Sequence, residues 1–106
     1  MPTVIKNATL ITASEMMKAD LLIDGEKIAV IGEGLETEGA QVIDATNRYV
    51  LPGGIDVHTH LQLPVGVTES SDDFYTGHKA AAFGGTTTHI DFAIPNKGEP
   101  LCKGIE

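Results

Sequence analysis

The chain has 106 residues, which suits one domain, and carries 7 basic against 15 acidic side chains for a net charge of −8. It has no run of Lys or Arg, so nucleic acid and anionic membranes are excluded as expected partners. Cys102 is the only cysteine, which rules out an intramolecular disulfide and fits a reducing, cytoplasmic setting. No secretory leader is expected, and no apolar run approaches the roughly 20 residues of a membrane span.

The first half reads as closely spaced strands. Residues 3–6 and 9–12 are two short β-rich runs, with Asn7-Ala8 predicted as a turn between them. Residues 14–18 read as a polar connection, where Met16 and Met17 serve packing. Residues 20–23 and 27–31 flank Asp24-Gly25-Glu26, and Asp-Gly between two apolar runs predicts a hairpin because Gly takes a positive φ cheaply. Residues 32–39 are rich in Gly and Glu and read as a solvated loop. Residues 41–44 and 48–51 are two further strands around Ala45-Thr46-Asn47. Few helical signals occur up to residue 51, so residues 1–51 are predicted to be part of a small β-sandwich domain.

Pro52-Gly53-Gly54 marks a boundary, because Pro stops strand pairing and two glycines allow a sharp entry into the next element. The run that follows predicts a short buried strand ending in His58 and His60. Alternation sends Asp56, His58 and His60 to one face and Ile55, Val57 and Thr59 to the other. Two imidazoles one strand period apart can converge on a single divalent cation. Two ordinary strand histidines explain the same spacing. Residues 61–68 form an apolar loop beside this pair, where a pocket wall and simple packing are equally good readings.

Ser70 or Ser71 is predicted to cap a helix, with Asp72 and Asp73 in its first turn and Gly84-Gly85 at its end. Phe74, His78, Ala81 and Ala82 share one helical face, and His78 there reads as a packed or surface side chain. Residues 86–93 predict a second strand. Ile90 and Phe92 face one side, suited to lie under helices. Thr87, His89 and Asp91 face the other, where they offer outer hydrogen bonds to a metal site or, more simply, a His–Asp pair that satisfies itself. Residues 95–98 read as a turn. Strand, crossover helix and strand over residues 52–106 is the pattern of a parallel βαβ unit, which makes the chain an α/β protein.

The runs VLPGGIDVHTHLQLP and SSDDFYTGHKAAAFGGTTTHIDFAIP, within residues 49–95, resemble the amidohydrolase superfamily, and within it the dihydropyrimidinase/hydantoinase family of cyclic amidases. KNATLITA and DLLIDGEKIAVIG resemble the family's N-terminal strands. The resemblance implies a β-sandwich part followed by the first strands and helix of a metal-dependent (β/α)₈ TIM barrel. A complete barrel needs about 250 residues and is therefore incomplete in this chain. The resemblance further implies that His58 and His60 bind the more buried of two Zn²⁺ ions per complete site. A carboxylated lysine, two more histidines and an aspartate would lie beyond residue 106; Lys79, Lys97 and Lys103 do not match the lysine's place. Zinc is the default, although cobalt, manganese or iron suits the same two ligands.

The implied reaction is metal-assisted opening of a dihydropyrimidine or hydantoin ring to an N-carbamoyl amino acid. The segment alone is expected to be inactive. The loop is implied to gate the ring substituent through Leu63 and Val65, the latter standing where the family often carries a bulky aromatic. Family members are commonly homotetramers. An allantoinase, a dihydroorotase or a non-catalytic scaffold homologue would share much of this pattern.

Overall fold

A computed structural model describes residues 1–105 of the chain. It divides into two units, Met1–Pro52 and Gly53–Glu106.

The first unit is one five-stranded sheet built from β1 (Thr3–Ile11), β2 (Met16–Asp24), β3 (Lys27–Gly32), β4 (Gln41–Asp44) and β5 (Tyr49–Val50). The central strand is β1. It pairs antiparallel with β2 on one side and parallel with β4 and then β5 on the other. β3 lies beyond β2, across a two-residue loop in which Gly25 takes a φ of 60°, in keeping with the Asp-Gly signal. The turn expected at Asn7 is instead a bulge within one continuous strand. Asn7 takes a φ of 61°, and the pairing with β2 slips between Ile5 and Ala8. Asparagine tolerates this left-handed conformation because its short polar side chain bonds locally. Here the Asn7 backbone N–H donates to Asp20 Oδ1 at 2.8 Å and its side chain to Asp44 Oδ1 at 3.2 Å.

Ala8, Leu10, Ala19, Leu21 and Ala45 form the core of this unit, and Val4 is fully buried. Asp20 sits among them at 5% exposure. A buried carboxylate is costly unless every lone pair is used. Asp20 meets that demand with Lys6 Nζ at 2.6 Å and the backbone N–H groups of Asn7 and Leu35 at 2.8 and 3.0 Å. The Lys6 hydrogen bond and then the Asn7 N–H, against the opposing effect of burial, hold its pKa at about 2, below the ordinary 3.8.

The second unit begins with β6 (Gly54–Thr59), followed by a short hairpin of β7 (Pro64–Val65) and β8 (Thr68–Glu69), the helix α1 (Phe74–Gly84) and β9 (Thr86–Asp91). β6 and β9 pair in parallel on either side of the helix in sequence. Gly53 permits this pairing to close, because a Cβ there would run into the Thr87 side chain. The helix starts at Asp73 rather than at either serine. Asp73 Oδ1 accepts the Thr76 N–H at 2.7 Å and Thr76 Oγ1 accepts the Asp73 N–H at 3.1 Å, a reciprocal cap that Ser70 and Ser71 stand too early to form. Ser70 Oγ instead accepts the Leu63 N–H at 2.8 Å and closes the hairpin, which replaces the loop expected over residues 61–68. Gly85 ends α1 in the left-handed conformation, its N–H turned back to Ala81 and Ala82.

β6 is not buried by the described residues: Ile55 and Val57 are each 65% exposed. The strand's apolar composition led to the expectation of burial, and nothing among those residues covers this face. No helix among the described residues is long and apolar enough to cross a membrane.

Two consequences are measurable. Because Asp20 has a depressed pKa in the folded state, its stabilisation is complete above the ordinary carboxylate value of 3.8 and is lost as pH falls through about 2. Asp20→Asn is expected to lower the urea midpoint at pH 7 and to flatten its decline on acidification relative to the parent chain. In the second unit, a Cβ on buried Gly77 would run into Leu61, the residue after His60. Gly77→Ala is expected to destabilise by about 1–3 kcal/mol, less the ~1 kcal/mol that alanine contributes to helix propensity. In a Leu61→Ala background the clash disappears, so denaturant titration of the double variant should show Gly77→Ala as neutral or stabilising.

Candidate functional site

β6 runs from Gly54 to Thr59, so His58 lies within the strand and His60 one residue past its end. Asp56 Oδ1 accepts the His58 N–H at 3.1 Å and fixes the backbone two residues ahead of it. The two side chains converge: His58 Nε2 and His60 Nε2 are 3.2 Å apart, and their ring planes meet at 76°. One neutral tautomer can donate to the other at that distance. It is also close to the separation of about 3.3–3.4 Å expected of two nitrogens bound at ~2.0–2.1 Å to one tetrahedral zinc. Two neutral imidazoles with converging Nε2 atoms therefore fit as part of a divalent-metal donor set. They do not complete one, since a catalytic zinc takes three protein ligands. Among the described residues no group of three or more His, Cys, Asp or Glu side chains could hold a metal ion.

Phe92 is the nearest aromatic neighbour of the pair. Its ring centroid is 4.7 Å from that of His58 and 5.0 Å from that of His60, nearly parallel to the latter at 27°. Strict alternation on β9 assigned Phe92 to the helix-facing side. The pairing explains the difference. Asp56 partners His89, but three residues later Thr59 partners Asp91, only two residues on. A slip of the opposite sense lies between Gly54 and Ile55, so the two cancel and Thr59 meets Asp91 in the frame that Gly54 sets with Thr86; continued one residue, that frame puts His60 level with Phe92. The first slip lies at Gly54, whereas no Gly or Pro marks the second, between Asp56 and Thr59.

Asp91 does not pair with His89 as the simpler reading held. Its Oδ2 accepts the Leu61 N–H at 2.9 Å and its Oδ1 the Phe92 N–H at 2.6 Å. Burial acts to raise the Asp91 pKa, but the Leu61 and Phe92 N–H groups outweigh it, and the net shift is downward. His89 Nδ1 is buried with no partner among the described residues, its ring 4.8 Å from that of His78 on α1. His78 also lies 6.0 Å from Phe74 one helical turn earlier and is exposed, as read from sequence.

Leu63 sits half-buried at the base of the β7–β8 hairpin, and Val65 is exposed on its first arm opposite Thr68. Neither lines the cavity of about 190 Å³ at the foot of that hairpin, whose walls are polar and include Gln62, Glu69, Ser70 and Thr76. The larger cavity, about 670 Å³, belongs to the strand unit. Lys6, Lys18, Asp20 and Glu33 line it, with charges that cancel, and Lys6 and Asp20 are paired with each other.

No protein-family model matches the chain. Individual proteins do. The chain is 61% identical over all 106 residues to a D-hydantoinase of Geobacillus stearothermophilus and covers 22% of that protein. It is 49% identical over 102 residues, 95% of its length, to dihydropyrimidinase 2 of Caenorhabditis briggsae, covering 20% of it. A crystal structure of a D-hydantoinase superposes with a TM-score of 0.95 at 59% identity, over 99% of this chain and 23% of that one. The chain thus spans about a fifth of the length of the relatives it matches, and its mixed, mostly β architecture is that of their N-terminal part. By this likeness the chain belongs, as an N-terminal segment, to the D-hydantoinase/dihydropyrimidinase family.

Proposed function

We propose that this chain is the metal-anchoring start of a cyclic amidohydrolase that opens dihydropyrimidine or hydantoin rings to N-carbamoyl amino acids. The observation that carries the reading is the convergence of His58 and His60 Nε2, 3.2 Å apart at the end of β6, in a chain 61% identical to a D-hydantoinase. On this reading His58 and His60 hold one of two Zn²⁺ ions. The parallel β6–α1–β9 unit is the opening of a (β/α)₈ barrel, and the strand unit is part of the accompanying β-sandwich. A divalent cation so held would polarise the scissile carbonyl and lower the pKa of a bound water toward about 7.

The chain's own residues prepare that site. β6 supplies two ligands from one strand end, where parallel strands deliver side chains into a common mouth. Asp56 holds the His58 backbone through its N–H. Leu63 and Val65, on the hairpin that follows, border the space a ring substituent would enter. The remaining ligands and the base belong to the part of the family fold beyond this segment, so the 106 residues by themselves are proposed to be inactive. A small cyclic amide as substrate, a homotetramer as the complete assembly and a cytoplasmic location complete the proposal; nucleic acid and membranes have no part in it.

The test is a chimera. The present 106 residues replace the matching segment of the Geobacillus stearothermophilus D-hydantoinase, and hydantoin opening is followed spectrophotometrically. Activity within about tenfold of the parent enzyme is expected. His58→Ala or His60→Ala in the chimera should remove at least ~10³-fold of it, together with bound zinc, in line with the several kcal/mol that a metal contributes to a hydrolytic transition state. A chimera that keeps its activity and its zinc after either substitution would refute the reading.

A further inference from the structure

The histidine pair is braced by a residue that touches neither imidazole. Asp91, the last residue of β9, spends both carboxylate oxygens on backbone N–H groups. One belongs to Leu61, which follows His60 directly. The other belongs to Phe92, whose ring lies against both imidazoles at 4.7 and 5.0 Å. Hydrogen bonds to an ionised acceptor are the stronger kind. A carboxylate is also the side chain that suits this geometry, because two donors approach its two oxygens. An asparagine would turn an NH₂ group toward one of them.

We propose that Asp91 and Phe92 are positioning residues that hold His58 and His60 converged: Asp91 ties the backbone after His60 to the end of β9, and Phe92 covers one side of both rings. Rotation of an exposed strand histidine about its side-chain bonds costs little. A phenyl ring against two imidazoles removes most of those rotamers, and the Asp91 bridge keeps the ring and the second histidine on one rigid stretch of backbone. The conformational entropy of the donor pair is then lost on folding rather than on ligand binding, which strengthens binding without any new contact to the ligand. The pairing at the strand end, with Thr59 beside Asp91, sets the next residues of the two strands, His60 and Phe92, level with each other. The consequence for metal affinity rests on the proposed ligand role of the two histidines; the convergence itself does not.

The test uses the full 106-residue chain and two readouts. The first is the NMR position of the carbon-bound imidazole protons of His58 and His60 without metal, which the Phe92 ring current displaces. The second is Zn²⁺ affinity by equilibrium dialysis. Phe92→Leu and Asp91→Asn are each expected to bring the His58 and His60 signals toward unstructured positions while leaving the signals of the strand unit in place. Each should weaken zinc binding by about tenfold, the lower end of what outer partners of a metal site contribute. Phe92→Tyr should restore both readouts. Phe92 is 46% exposed, so Phe92→Leu keeps the fold and decides the matter even if Asp91→Asn unfolds the unit. Imidazole signals and zinc affinity unchanged by Phe92→Leu would overturn the proposal. A parent chain that binds no zinc, yet whose imidazole signals move on Phe92→Leu, would uphold the positioning role and remove the metal-ligand reading instead.

Discussion

In an unbroken parallel pairing that begins with Asp56 beside His89, Asp91 would come level with His58 and Phe92 with Thr59. A carboxylate would then stand next to the first imidazole, and the phenyl ring would point to the opposite face. The slip between Asp56 and Thr59 undoes an opposite slip between Gly54 and Ile55 and returns the strand end to the frame of Gly54 beside Thr86, which avoids both placements. That frame puts an apolar ring against the two histidines and leaves Asp91 to accept the N–H of Leu61, just after His60, and of its own neighbour Phe92. Because side-chain direction alternates with a period of two, a single extra residue is enough to exchange everything the site sees. The surroundings then combine apolar packing by Phe92 with the Asp91 carboxylate, whose charge still acts on His60.

Much of the architecture was legible from short-range chemistry. Asp24-Gly25 announced the β2–β3 hairpin and Gly85 the end of α1, because each rests on a conformation glycine adopts readily, and Pro52-Gly53-Gly54 announced the approach to β6, where Gly53 leaves room for Thr87. Two of the misreadings share a cause: a local signal had two structural uses. Asn7 can reverse a chain or bulge a strand, and its bonds to Asp20 and Asp44, 13 and 37 residues away, decide for the bulge. Ser70 and Ser71 can cap a helix, but Asp73 is better placed to exchange hydrogen bonds with Thr76, and Ser70 is taken by Leu63. The parallel pairing of β4 and β5 with β1 carries no local signature, since it depends on contacts some forty residues apart. At the site, His58 and His60 were readable as a pair from their spacing, whereas the place of Phe92 was not, because the frame in which two strands pair leaves no trace in the alternation within either.

The exposed apolar residues of β6 and β9 carry a different kind of information. Ile55, Val57 and Ile90 have the composition of strands covered on both faces, yet stand more than half exposed. Burying a side chain of this kind contributes roughly 1.5–3 kcal/mol, so three left in water forgo a sizeable part of a small unit's stability. Residue choice on these strands records a covering that the described residues do not supply. The relatives that match are four to five times longer than this chain, by the 22% and 20% of their lengths that it covers.

What remains well defined in the second unit despite that exposure is the local frame around the histidines. Asp56 bonds the His58 backbone, Asp91 bridges Leu61 and Phe92, and Leu61 packs into the space that Gly77 leaves open on α1. Every one of these contacts lies between residues 56 and 92, and each fixes backbone next to an imidazole rather than the imidazole itself. A converged histidine pair can therefore be shaped by some forty residues of strand, hairpin and helix, before any contact with a more distant part of a fold. This ordering suits the chemistry. Side chains that must converge gain from being held in place in advance, and here the holding groups come both from beside the histidines, as Asp56 does, and from the end of the paired strand, as Asp91 and Phe92 do.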